Sequence, residues 1–193
     1  TLSLEAGHIR GDNTDGAGLV RDIETNLGFA LAERRILLLG AGGAARGVIL
    51  PLLERQPAQL RIANRSPAKA AALAAAFAPD TRCPIAGGSF AELAGQAFDL
   101  VINATSASLG GAALPLPDGL YAPGALAYDM MYGQGETPFL AQARAAGASR
   151  RADGLGMLVE QAAEAFLIWR GIRPETGALL AQLRRELQAA TPA

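Results

Sequence analysis

Short apolar runs alternate along the chain with stretches in which apolar residues return at helical spacing. Leu19, Val20, Ile23 and Leu27 predict a first helix, with Gly28 placed to stop it. "RRILLLG", "QLRIANRS", "FDLVINATS" and "ALAYDMMY" read as strands; "CPIAG" and "ASRRAD" read as shorter ones. Between them lie helical segments. "GAARGVILPLLERQ" contains Pro51, which removes one backbone donor. "SPAKAAALAAAFA" has Ser66 as N-cap and Pro67 at its first position. "SFAELAG" is a short helix in which Ser89 and Glu92 form a capping box. "TPFLAQARAAG" is capped by Thr137, opened by Pro138 and ended by Gly147. "GLGMLVEQAAEAFLIWRG" carries a stripe of Leu155, Leu158, Val159, Ala162, Phe166 and Trp169 and closes at Gly171; an amphipathic helix follows it. "GGAALPLPDGLYAPG" is a Gly/Pro loop.

Strands alternating with helices specify an α/β fold, a doubly wound, Rossmann-like parallel sheet with C-terminal helices packing at the cleft. Such sheets bind ligands beyond the carboxyl ends of their strands. Those ends carry Gly40–Gly43, Asn64–Ser66, Asn103–Ser106 and Met130–Tyr132.

Composition narrows the chemistry. The 193 residues suffice for one domain with a core, and half of them are hydrophobic. A net charge of −1 argues against a nucleic-acid partner. No apolar run is long enough for a membrane span, and the N-terminus does not read as a signal peptide, so a cytoplasmic protein is expected. One cysteine, Cys83, and one histidine, His8, exclude an internal disulfide and point to no metal site.

The turn "GAGGAA" follows a strand and opens a helix, the setting a nucleotide-binding turn requires. Gly40 permits the tight turn, Gly42 a close approach of backbone to pyrophosphate, and Ala45 close packing of helix on sheet. Gly40, Ala41, Gly42, Gly43 and Ala44 are the candidate cofactor-binding turn. The alternative is a glycine-rich turn without a ligand. An NAD site places an acid at the end of the second strand; Asn64 stands there, followed by Arg65, with Lys69 in the next helix. An uncharged amide beside cations suits a 2′-phosphate, so NADP is favoured over NAD. Arg65 could otherwise be a solvated loop residue.

"NTDG", "GAGGAARG", "NRSPAKA", "NATS", "DMMY…TPFL" and "DGLGMLVEQAAEAFLIW", as an ordered set, resemble the shikimate dehydrogenases. The resemblance runs from about Asn13 to the C-terminus. It implies interconversion of shikimate and 3-dehydroshikimate with NADP, in aromatic amino-acid biosynthesis. By the same resemblance, Asp15 is the catalytic carboxylate and also touches substrate; Asn13, Tyr132 and Gln161 lie at the substrate. Ala104, Thr105, Met130, Gly154 and Met157 line the cofactor near its nicotinamide. Each has a plainer role open to it. Asn, Thr and Asp all cap helices well, and Thr14 could cap while Asp15 faces the cleft. Ala104 and Thr105 could satisfy their own strand end, Met130 could be core, Tyr132 a structural tyrosine and Gln161 a surface residue.

Family members carry an N-terminal substrate domain whose lysine pairs with the aspartate in proton transfer. Lys69, on the adenosine side, does not match that lysine. Residues 1–15 are therefore expected to be the remnant of a link to such a domain, 16–152 the NADP-binding domain, and 153–193 C-terminal helices closing the cleft. The fragment alone is expected to be inactive or nearly so. A quinate dehydrogenase relative and a free-standing NADP-binding module remain alternatives. The apolar stripe, if exposed, offers a homodimer surface.

Overall fold

The computed structural model describes residues 1–105 and 113–189. Six parallel strands form one sheet: β3 (Arg35–Leu39), β4 (Gln59–Ala63), β5 (Ile85–Gly88), β6 (Phe98–Asn103), β7 (Tyr121–Asp129) and β8 (Arg150–Asp153). Their spatial order is β5-β4-β3-β6-β7-β8, so the chain winds outward in both directions from β3 and β6. The doubly wound expectation holds.

Alternation along each strand builds two cores. Ile36, Leu38, Leu60, Ile62, Leu100, Ile102, Leu126 and Tyr128 face one side. There they meet α1 (Asp15–Arg21), α2 (Gly43–Leu53), α3 (Pro67–Phe77) and Met157 of α5 (Leu155–Arg170). Leu37, Leu39, Ala63, Val101 and Ala127 face the other, against Phe139, Leu140 and Ala143 of α4 (Pro138–Ala145). Burial on both faces is why these strands read as continuous apolar runs. A last helix, α6 (Gly177–Ala189), packs on α5.

Residues 1–15, for which the sequence pattern predicts no strand, hold an antiparallel hairpin of β1 (Leu2–Glu5) and β2 (His8–Gly11). Its turn residues Ala6 and Gly7 both have positive φ, as a two-residue hairpin turn requires. Trp169 of α5 donates its indole N–H to Leu2 O at 2.9 Å and ties the hairpin down. Strand β7 also begins earlier than its pattern suggested, and Met130–Tyr132 lie beyond its end.

Capping follows the sequence in part. The Thr137 hydroxyl accepts from Leu140 N, and the Ser89–Glu92 box forms, over a single 3₁₀ turn (Ala91–Leu93). Ser66 stands at the N-cap of α3 but its hydroxyl makes no capping bond. Thr14 stands at the N-cap of α1, yet its hydroxyl is drawn to Gln161 Oε1, 3.3 Å away. Asn13 does the local work instead, accepting the Asp15 N–H at 3.0 Å. Helix α1 passes into a π turn, Asp22–Asn26, where Leu27 N reaches back to Asp22 O. The predicted stripe on α5 divides: Leu155 and Val159 are buried, while Leu158, Phe166 and Trp169 are exposed.

Candidate functional site

The chain reverses its winding between β3 and β6, and the residues after these two strands meet there. Gly40 takes φ +112°, and a Cβ on it would stand 3.0 Å from Ala104 O. Backbone bonds fix both ends: Gly40 N to Ala63 O and Ala104 N to Leu39 O, each 2.8 Å. Gly42 is the extended N-cap of α2, and Cβ atoms on Gly42 or Gly43 would meet nothing within 4 Å among the described residues. The first N–H groups of α2, which have no intrahelical partner, thus open onto free space.

That space is a cavity of about 520 Å³. The predicted turn residues Gly40–Ala44 line it together with Asn64, Arg65, Ala104 and Thr105. Phe90 and Leu114 add apolar wall. Asn64 is held by its own loop, its amide donating to Ser66 O at 3.1 Å. Among the described residues the cavity wall carries no carboxylate, which fits a ligand carrying phosphate at this end. Ser106, at the end of the predicted Asn103–Ser106 cluster, lies outside the described residues.

Thr105 is set by the polar residues that close β6 and β7. The buried Asn103 amide oxygen accepts from both Thr105 N and Thr105 Oγ1, at 3.1 and 2.7 Å. Asn103 Nδ2 donates to buried Asp129, which also accepts from Met131 N and from Thr137 Oγ1 at 2.6 Å. The ends of β6 and β7 and the start of α4 are thereby one unit. The signal was a polar residue closing each apolar strand, "VIN" and "AYD".

Met130, Gly154 and Met157 gather at the neighbouring strand ends. Gly154 N donates to Met131 O at 3.0 Å, and a side chain at Gly154 would collide with Met130 O. Met157 is buried in the core, and Met130 packs against it.

Thr14 and Gln161 meet across the α1–α5 seam, next to Asp15 in the chain. Thr14 bonds Gln161, and Gln161 Nε2 donates to Leu158 O at 3.0 Å. The Asp15 carboxylate is exposed and has no hydrogen-bond or ion-pair partner among the described residues. Asn13 is more committed, spanning Asp15 N and Gly47 O. Tyr132 is 43% exposed and makes no hydrogen bond among the described residues. Lys69 is separated from Arg65: it faces a second cleft across the glycine turn.

Beneath the seam lies a buried polar network. Tyr128 Oη donates to Asp22 at 2.7 Å, and Asn26 bridges Asp22 and Glu160. Glu160 also accepts from Thr176 and Arg173, each at 2.6 Å, and pairs with Arg21 at 3.2 Å. Burial lifts the Asp22 carboxyl above its ordinary pKa, with bonds from Tyr128 and Asn26 offsetting it only in part. Burial pushes Glu160 the same way, but bonds from Thr176, Arg173 and Asn26 prevail and hold it low. No helix among the described residues is long and apolar enough to cross a membrane, and no group of acids, histidine and cysteine gathers as a metal site.

Comparison with known proteins agrees with this fold. Residues 22–110 match the family described as shikimate/quinate 5-dehydrogenase, and 154–184 match the shikimate 5′-dehydrogenase C-terminal domain. A shikimate dehydrogenase (NADP(+)) of Dechloromonas aromatica is 69% identical over 98% of this chain and 68% of its own length. The one from Aromatoleum aromaticum is 65% identical over 97% and 67%. Among solved structures, the Ael1 enzyme from Pseudomonas putida superimposes with TM-score 0.86 at 52% identity, covering 99% of this chain and 67% of its own. Shikimate 5-dehydrogenase from Thermus thermophilus, in complex with NADP(H) and shikimate, gives 0.78 at 33%, covering 96% and 67%. The chain belongs to the shikimate dehydrogenase family.

Proposed function

We propose that this chain is the cofactor-binding part of an NADP-dependent shikimate dehydrogenase, interconverting 3-dehydroshikimate and shikimate. The observation that carries it is the open glycine turn at the switch point, walled by Asn64 and Arg65 with no carboxylate among the described lining residues. Gly42, Gly43 and Ala44 present backbone N–H groups to the pyrophosphate. Asn64, Arg65 and Lys69 receive the adenosine end. Ala104, Thr105, Met130, Gly154 and Met157 form the wall along the nicotinamide half. The bound cofactor supplies the hydride chemistry.

The protein's own task is to place the substrate carbon and manage the hydroxyl proton. Asp15 is the candidate base and acid, exposed at the N-terminus of α1 and free to face a substrate. Gln161, one turn beyond Met157 and braced by Thr14, is the candidate ligand of a substrate hydroxyl or carboxylate. Tyr132 is assigned to the substrate side. Asn13 positions Asp15 through the bond to its N–H.

Proton transfer in this family pairs the aspartate with a lysine, and Lys69 stands away on α3, beside the glycine turn. The 193-residue chain is therefore expected to bind NADPH yet turn over shikimate negligibly. Titration with NADPH, alongside the near-ultraviolet absorbance of reduced nicotinamide after adding shikimate and NADP, checks both. Asp15→Asn should leave the NADPH titration unchanged. Loss of cofactor binding in that variant would make Asp15 structural; robust turnover by the chain would show that no lysine is needed.

A further inference from the structure

The two cations expected to read a 2′-phosphate do not share one cavity. Arg65 lines the main cavity, whereas Lys69 faces a second cleft of about 390 Å³ on the other side of the glycine turn. Gly42 and Gly43 border both, so a ligand crossing the turn reaches either. The second cleft has another cation, Arg46, one turn into α2 and opposite Lys69 on α3. The Arg46 guanidinium lies 5.6 Å from the Phe77 ring centroid, a cation–π contact that holds it alongside α3.

Charge and place together mark this group: Arg34, Arg82, Arg150, Arg170 and Arg185 also lack an ion-paired acid among the described residues, but none of them lines either cleft. Arg21, Arg35, Arg61, Arg173 and Arg184 each have an acidic partner. Arg46, Arg65 and Lys69 have none among the described residues. Three unneutralised cations around an open turn repel one another, and a bound dianion relieves that repulsion. A lysine meets a phosphate as a point charge, while an arginine fork grips two oxygens.

We propose that Arg46 is a specificity residue, clamping the cofactor's 2′-phosphate monoester against Lys69 from the α2 side of the glycine turn. The proposal rests on the NADP reading above.

Calorimetric titration of the chain with 2′,5′-ADP and with 5′-AMP separates the phosphate from the rest of the adenosine half. Arg46→Ala and Arg46→Gln should each weaken 2′,5′-ADP about tenfold, the scale of one charged hydrogen bond. Binding of 5′-AMP should change by about twofold or less. The loss of 2′,5′-ADP affinity with added salt should also become shallower than in the unmodified chain. Equal weakening of both ligands would overturn the clamp and make Arg46 a support of the turn. So would no weakening of either. An unmodified chain that fails to prefer 2′,5′-ADP over 5′-AMP would instead defeat the NADP reading itself, and the clamp with it. Melting curves of the variants, expected to match the unmodified chain because Arg46 is exposed, keep binding apart from folding.

Discussion

Glycine does opposite work in two regions of this molecule. At the cofactor turn, Gly42 and Gly43 leave space empty: an added Cβ would touch nothing. In the α1–α5 seam, glycines let elements close on one another. A Cβ on Gly18 would stand 2.6 Å from Gln161 N, and one on Gly156 would collide with the Asp22 carboxylate. Gly16 meets Pro51 and Gly47 O of α2 in the same way. The first region is shaped to receive a ligand. The second is shaped to hold α1 against α5 and α2 in a fixed relation.

The largest expected effect separates these uses. Gly18→Ala forces two helix backbones apart and should cost about 2–3 kcal/mol of stability, read by urea unfolding. Gly43→Ala, at the first position of α2, should leave stability unchanged or raise it by roughly 0.5 kcal/mol. Its Cβ enters the cavity, so NADPH affinity should fall. Matching stability losses in the two variants would mean that the cofactor turn is packed for the fold and not left open for a ligand.

The seam also depends on a buried carboxylate, and pH exposes it. Tyr128→Phe removes a hydroxyl that donates to Asp22 and should cost about 1–3 kcal/mol at neutral pH. The Asp22 carboxyl is already raised by burial, so its stabilising contribution is full below its ordinary pKa of 3.8 and is lost as pH rises through the folded value. Without the Tyr128 bond the folded value rises further. The variant's deficit should therefore be smallest below pH 3.8, grow through the weakly acidic range and level off. A deficit independent of pH would assign the loss to packing alone.

The same contrast explains what the sequence disclosed. The glycine turn, the Thr137 cap and the Ser89–Glu92 box are local, their partners within a few residues, so spacing reveals them. Thr14 with Gln161, Asn26 with Glu160 and Tyr128 with Asp22 lie 147, 134 and 106 residues apart. Nothing in their spacing pairs them; the sheet order does. That is why Thr14 and Ser66 misled: each has the right residue type and position for a cap, but Thr14's hydroxyl has a distant competitor and Ser66's makes no capping bond. The hairpin at residues 2–11 is hidden in the sequence for a different reason. Its Leu2, Leu4 and Ile9 are exposed, so alternation there does not mark a core. Nothing in "GAARG" says that Arg46 will face Lys69.

The smallest expected effect joins the two regions through α2. Pro51 has no N–H, so the carbonyl of Gly47, one turn earlier, loses its helical partner. Asn13 fills that gap, donating its amide to Gly47 O at 2.9 Å while its oxygen receives the Asp15 N–H. The proline thus frees an acceptor that anchors the segment carrying the candidate catalytic carboxylate. Asn13→Ala should cost about 1 kcal/mol in the unmodified chain. In a Pro51→Ala background the new N–H can satisfy Gly47, and the part of that cost owed to the Gly47 bond should disappear. A double-mutant cycle measured by urea unfolding reads the coupling, expected at about 0.5–1 kcal/mol. Additive losses would show that Asn13 acts through Asp15 N alone and that Pro51 has no part in placing Asp15.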